Sequence, residues 1–121
     1  MPRRELLTPA QREQLLSFPT DTAELIRLYT LSEADHAFVK AHRGTHNRLG
    51  VAVQLAYLRF PGRPISRDEE PHAPLLATMV AQLKALPSDW AQYAQRDETR
   101  REHAISATRY LGLRALNLHE H

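Results

Sequence analysis

The chain contains no cysteine among its 121 residues. That removes disulfides, thiolate zinc sites and thiol catalysis together. No apolar run approaches the roughly 18 residues that a membrane span needs. The opening Met1-Pro2-Arg3-Arg4-Glu5 lacks the apolar core of a secretory signal. A cytoplasmic, bacterial-type setting is the expectation. Glycine is scarce, and no Gly-rich phosphate loop, G-x-S-x-G or H-E-x-x-H is present. No catalytic residue, metal site or cofactor is therefore expected. Alternating Val/Ile/Thr runs are nearly missing, which argues against strands. Aromatic residues make up only 7% and fall on predicted buried faces. Without a basic-aromatic strip for stacking bases, duplex is favoured over single-stranded nucleic acid.

The most informative absence is one of charge sign. No carboxylate lies between Asp35 and Asp68, while Lys40, Arg43, Arg48, Arg59, Arg63 and Arg67 do. His36, His42 and His46 fall in the same stretch. A formal net charge of +2 is too mild to argue from the total. The distribution carries the argument: a long one-sign segment that looks folded fits a polyanion, and nucleic acid is the commonest one. Arginine outnumbers lysine fourteen to two, which suits bidentate phosphate or guanine contacts or reflects a GC-rich coding sequence.

What is present reads as a single all-α domain over residues 1–121, a compact bundle of six to seven helices. Thr8-Pro9-Ala10-Gln11 carries cap, first-turn proline and capping-box signals for a helix to about Ser17. Asp21 opens a second helix with Leu25, Ile26, Leu28 and Tyr29. Ser32 opens a third, whose apolar set Ala34, Ala37, Phe38 and Ala41 follows helical spacing. Gly44 breaks it in a left-handed conformation. A fourth helix, from Thr45 or His46 to about Arg59, is apolar on most sides and is expected at the centre. A Pro-rich connector over 61–73 follows. The fifth helix, Pro74 to Leu86, shows one stripe: Leu75, Leu76, Met79, Val80, Leu83 and Leu86. A short sixth carries Trp90 and Tyr93, and a seventh runs from Asp97 to about Leu111. The segment from Arg114 to His121 reads as a truncated edge.

The third and fourth helices around Arg43-Gly44-Thr45 have the layout of a helix-turn-helix unit. The start of the second helix would face a major groove, with His46, Asn47 and Arg48 there. Asparagine suits adenine edges, arginine suits guanine, and a helix N-terminus attracts phosphate. The alternative is that Asn47 caps the helix and Arg48 is merely solvated. Arg59, Arg63 and Arg67 flank a Pro-Gly turn; they form a phosphate clamp or an ordinary exposed loop. With no carboxylate nearby in sequence, the clamp is favoured. Arg100 faces a partner or belongs to a self-compensated helix in which Asp97 pairs with Arg101. His42 and His46 lie four apart, but Gly44 between them argues against a shared zinc-binding face. Asp68-Glu69-Glu70 is a solvated cluster or, remotely, a magnesium site for a nuclease.

Several blocks occur in a telling order. They are Leu6-Leu7-Thr8-Pro9-Ala10-Gln11-Arg12, Tyr29-Thr30-Leu31-Ser32 and Arg43-Gly44-Thr45-His46-Asn47-Arg48-Leu49-Gly50. Then come Gln54-Leu55-Ala56-Tyr57-Leu58-Arg59-Phe60-Pro61-Gly62-Arg63 and Tyr93-Ala94-Gln95-Arg96-Asp97-Glu98-Thr99-Arg100-Arg101-Glu102-His103. Over nearly its whole length the chain resembles the N-terminal domain of transposases of the Tn-three family. The resemblance implies a helical, non-catalytic part that recognises the terminal inverted repeats of a transposon. It also implies that the strand-cutting carboxylates of the DDE-type enzyme lie far downstream, in a ribonuclease-H-like domain. Double-stranded DNA is then the expected partner, through Lys40, Arg43, His46, Asn47, Arg48, Arg59, Arg63, Arg67 and Arg100. A homodimer through the parent protein is a further expectation. The alternative is an assembly module that uses the Leu75-to-Leu83 stripe as an interface without touching DNA.

Overall fold

Six helices make up the computed structural model of the chain, which describes residues 19–119, with side chains up to Gly112. They are α1 (Thr22–Tyr29), α2 (Glu33–Lys40), α3 (Thr45–Arg59), α4 (Ala73–Leu83), α5 (Ser88–Ala94) and α6 (Asp97–His119). No strand occurs among the described residues. The expected helix over Thr8 to Ser17 lies outside them.

The helix starts follow local chemistry. Asp21 accepts the Glu24 amide at the head of α1. Ser32 and Asp35 form a reciprocal capping box at the head of α2, satisfying two otherwise orphaned donors. Gly44 precedes α3 at φ 88°, ψ 143°. That is not the left-handed helical basin expected from the sequence but a region close to glycine-only territory. The turn therefore depends on glycine more strictly than a helix stop would.

Helix α3 is the axis of the molecule. Every residue from Leu49 to Tyr57 is buried, and the helix packs against α5, α6, α4 and α2. Gly50 makes this possible: a Cβ there would overlap the Tyr93 ring of α5. Leu75 and Met79 of α4 are fully buried in the same core, with Leu76, Val80 and Leu83 packed beside them. The α4 stripe is thus core, and the premise that it offers a free interface is corrected. Its last member is corrected too. Lys84 takes a left-handed conformation and ends α4 early, so Leu86 is left exposed.

The expected inner face of α2 is also corrected. Ala34, Ala37 and Ala41 are exposed, while Asp35 and Val39 are buried. Small alanines gain little from burial. A carboxylate with strong partners inside outweighs them.

Candidate nucleic-acid interface

Asp35 is only 2% exposed, and four donors meet it. The Arg59 guanidinium binds both its oxygens, each at 2.7 Å. The Tyr110 hydroxyl donates at 2.7 Å and the Ser32 amide at 3.0 Å. That fills the acceptor capacity of a carboxylate. Burial pushes the Asp35 carboxyl up, but the bonds from Arg59, Ser32 and Tyr110 and the Arg59 charge more than offset it. The net effect holds Asp35 well below the usual carboxylate range.

The same fate meets the rest of the expected clamp. Arg63 binds Glu69 through two bonds of 2.9 and 2.8 Å and lies over the Tyr57 ring. The Arg63 bond holds the Glu69 carboxyl below its ordinary value. Arg67 reaches Asp97 at 2.6 Å, so Asp97 pairs there rather than with Arg101. Arg100 is 8% exposed and donates to the carbonyls of Arg67, Ser66 and Ala94 beside the Trp90 ring. The expectation that Arg59, Arg63 and Arg67 are unneutralised is therefore corrected, although Arg67 still projects into solvent. Carboxylates from α2, from the end of the same loop and from α6, or for Arg100 loop carbonyls, meet them. Glu69 is committed to Arg63 and the Ser66 amide, which removes the middle member of the supposed magnesium cluster. Among the described residues no group of three or more ligating side chains is placed to hold a metal ion.

Behind the turn runs a buried polar chain. The Gln54 amide donates to the Tyr93 hydroxyl at 2.6 Å. The Tyr93 hydroxyl in turn pairs with Nδ1 of His103 at 3.0 Å. The His103 ring meets His42 edge-on at 4.6 Å. His42 uses its own Nδ1 on the Phe38 carbonyl at 3.0 Å. Burial, then the neighbouring His42, pulls His103 down to about 4. Burial raises the Tyr93 hydroxyl to about 12.

The α2–α3 turn differs from the loop. Lys40 and Arg43 are exposed and make no ion pair among the described residues. Arg48 caps the end of α2, donating to the carbonyls of His42 at 2.8 Å and Lys40 at 3.3 Å. Asn47 donates to the Arg43 carbonyl at 2.8 Å, while its Oδ1 is buried without a partner. His46 sits 3.4 Å from Arg96. Because the stretch from Leu49 to Tyr57 is buried, α3 cannot lie lengthwise in a groove. Only its first turn is available, and that turn contains no acidic residue and no side-chain cap.

A cleft of about 250 Å³ opens beside this turn, lined by His36, Lys40, Thr45, Arg48, Gln82, Leu83 and Lys84. No carboxylate among the described residues lines it. Lys84 was missed in the sequence because the α4 stripe was read as continuing past it. One signal was available: Leu86 precedes Pro87, and a residue before proline resists helix.

The chain matches, over residues 6–120, a family described as a domain of unknown function (DUF4158). It is 46% identical over 118 residues to the transposase for transposon Tn3926 of Escherichia coli. It is 44% identical to the transposase for transposon Tn21 of Escherichia coli, and 41% identical to that for transposon Tn501 of Pseudomonas aeruginosa. Each match covers 98% of this chain and 12% of the relative, so the chain spans about an eighth of their length.

Proposed function

Since the chain belongs to the DUF4158 family and is homologous to Tn3-family transposases over nearly its full length, we propose that it binds duplex DNA. The DNA is that of transposon terminal inverted repeats, recognised on behalf of a transposase. The observation that carries this reading is the acid-free turn, where Lys40, Arg43 and the uncapped start of α3 face solvent together. Cations left unpaired by the fold are the ones able to displace counterions from phosphates. His46, Asn47 and Arg48 stand at the helix start, where base edges would be reached. Of these, Arg48 is held by two bonds to backbone carbonyls of the chain, so Arg43 and His46 are better placed to read. Arg59, Arg63 and Arg100 act as internal braces under this reading, and Arg67 is a peripheral contact. The match covers no more than a small part of the relatives, and no chemistry is assigned to this part.

The test is binding of the 121-residue chain to an inverted-repeat duplex and to a scrambled duplex over a range of salt. Binding should weaken steeply with salt, by roughly 0.9 logarithmic units per phosphate contact for each tenfold salt increase. The repeat should be preferred. A slope near zero, or equal affinity for both duplexes, overturns the sequence-specific reading.

A further inference from the structure

The cleft beside the turn brings three cationic side chains together from three helices. Lys40 comes from the end of α2, Arg48 from the first turns of α3 and Lys84 from the stop of α4. We propose that this cleft is a binding site for one phosphate oxyanion, held between Lys40 and Lys84 against the start of α3. The inference deepens the DNA-binding reading and rests on it for the source of the phosphate, a backbone phosphodiester of the duplex.

Placement is fixed at each wall. Lys84 sits at φ 56°, ψ 42°, and its amide donates to the carbonyls of Ala81 and Val80. That left-handed turn carries the side chain off the line of α4 and to the cleft. Gln82, one wall residue, is anchored: its amide donates to the Tyr29 carbonyl at 2.9 Å and its Oε1 accepts from the Leu31 amide at 2.8 Å. Arg48 is anchored by the carbonyls of Lys40, at the end of α2, and His42, in the turn. The walls are therefore braced, while both ammonium groups stay without an ion pair among the described residues. Two lysines and an arginine with no acid lining the cleft make an uncompensated positive field. Thr45, at the first position of α3, adds the positive end of the helix dipole.

The chemistry of the lining sets the ligand class. Among the described residues no Phe, Tyr or Trp lines the cleft; Leu83 is its one large apolar side chain, and its flat groups are the His36 imidazole and the Arg48 guanidinium. The Arg48 guanidinium is tied to backbone carbonyls, which leaves a nucleobase chiefly the half-buried His36 ring to stack on. The volume accommodates a tetrahedral oxyanion with several waters, given that a water occupies about 30 Å³ of liquid. A phosphate group fits these terms better than a nucleoside does.

The experiment follows backbone amide resonances of the full chain as inorganic phosphate is added, and then measures duplex affinity against salt. Variants are Lys84→Gln, Lys40→Gln and the charge-keeping Lys84→Arg. Phosphate should shift the Thr45 and Lys84 amides saturably, and Lys84→Gln or Lys40→Gln should weaken this at least several-fold. Each Gln variant should also lower the duplex salt slope by about one unit, with Lys84→Arg restoring it. Shifts scattered elsewhere, or an unchanged slope in both Gln variants, overturn the site while duplex binding itself stands. Saturable phosphate binding in a chain that ignores duplex keeps the site as one for free phosphate and overturns the DNA source.

Discussion

At the 59–69 loop Arg59, Arg63 and Arg67 each meet a carboxylate, whereas Lys40 and Arg43 at the α2–α3 turn and Lys84 beside it at the end of α4 meet none among the described residues. The two regions differ in what the chain folds against them. Asp35 and Asp97 arrive at the loop from the heads of α2 and α6, and Glu69 folds back from the loop's own end. Nothing acidic among the described residues lines the cleft at the turn. Charge neutralisation is a property of space, not of sequence separation. An acid-free stretch of chain therefore does not make an acid-free surface. The loop uses its cations to hold the body together, and the turn leaves its own for something outside.

The comparison breaks first at Arg59. If it is a brace, Arg59→Ala leaves the Asp35 carboxylate buried with half of its donors gone. Removing one partner of a buried pair costs about 3–5 kcal/mol. Urea unfolding should show a loss of that order. Duplex affinity of the folded fraction should barely change. A stable variant with much weaker DNA binding would return Arg59 to the surface role expected of it from the sequence.

Acid sharpens the same contrast. His103 titrates at about 4 when folded against an ordinary value of 6.5. Between those values the unfolded chain takes a proton that the folded chain refuses, so stability falls as pH falls from 6.5 toward 4. The gap limits the loss to about 3 kcal/mol. Asp35 behaves differently. Its lowered carboxyl contributes fully above the ordinary carboxylate value and is lost only as pH falls below about 4. The thermal midpoint should therefore decline in two stages, and His103→Gln should flatten the upper one. A midpoint unchanged between pH 6.5 and 4.5 would contradict the neutral, buried His103.

Much of the architecture was legible because it is written in local signals. The caps at Asp21 and Ser32, the apolar run of α3 and the α4 stripe as far as Leu83 read correctly from spacing and side-chain chemistry, while Leu86 did not. The inner face of α2 was not, because Asp35 is drawn inward by Arg59, which lies 24 residues away. Nor was the division of labour within the family-like blocks. Gln54, Arg59, Arg100 and His103 look like polar surface residues in sequence, yet they serve the interior. Their partners come from other helices, and periodicity carries no information about those. Lys84 was hidden for a similar reason: its backbone turn depends on how α4 ends, not on the residue itself.

A smaller effect is expected at Arg63, whose pair with Glu69 is about a quarter exposed on each side. Solvent screens such a pair, so Arg63→Ala should cost about 1–2 kcal/mol. The exposed Arg67–Asp97 pair should contribute less still. A graded series from Arg59 through Arg63 to Arg67 is what a set of braces of decreasing burial should give. Equal losses at all three would mean that burial does not govern them.

The least stability change belongs to Arg43, and it is the most informative about function. Its side chain is exposed, in no ion pair among the described residues, at the tip of the turn. Arg43→Gln should therefore leave the unfolding free energy within about 0.5 kcal/mol of the parent. If Arg43 holds a phosphate, the substitution lowers the salt slope by about one unit and weakens all duplexes alike. If it reads a base instead, the gap between inverted repeat and scrambled DNA narrows by about 1–3 kcal/mol. The pair of measurements assigns Arg43 to backbone or base. If neither moves while Arg63→Ala abolishes binding, the open end and the braced loop have exchanged the roles argued for them.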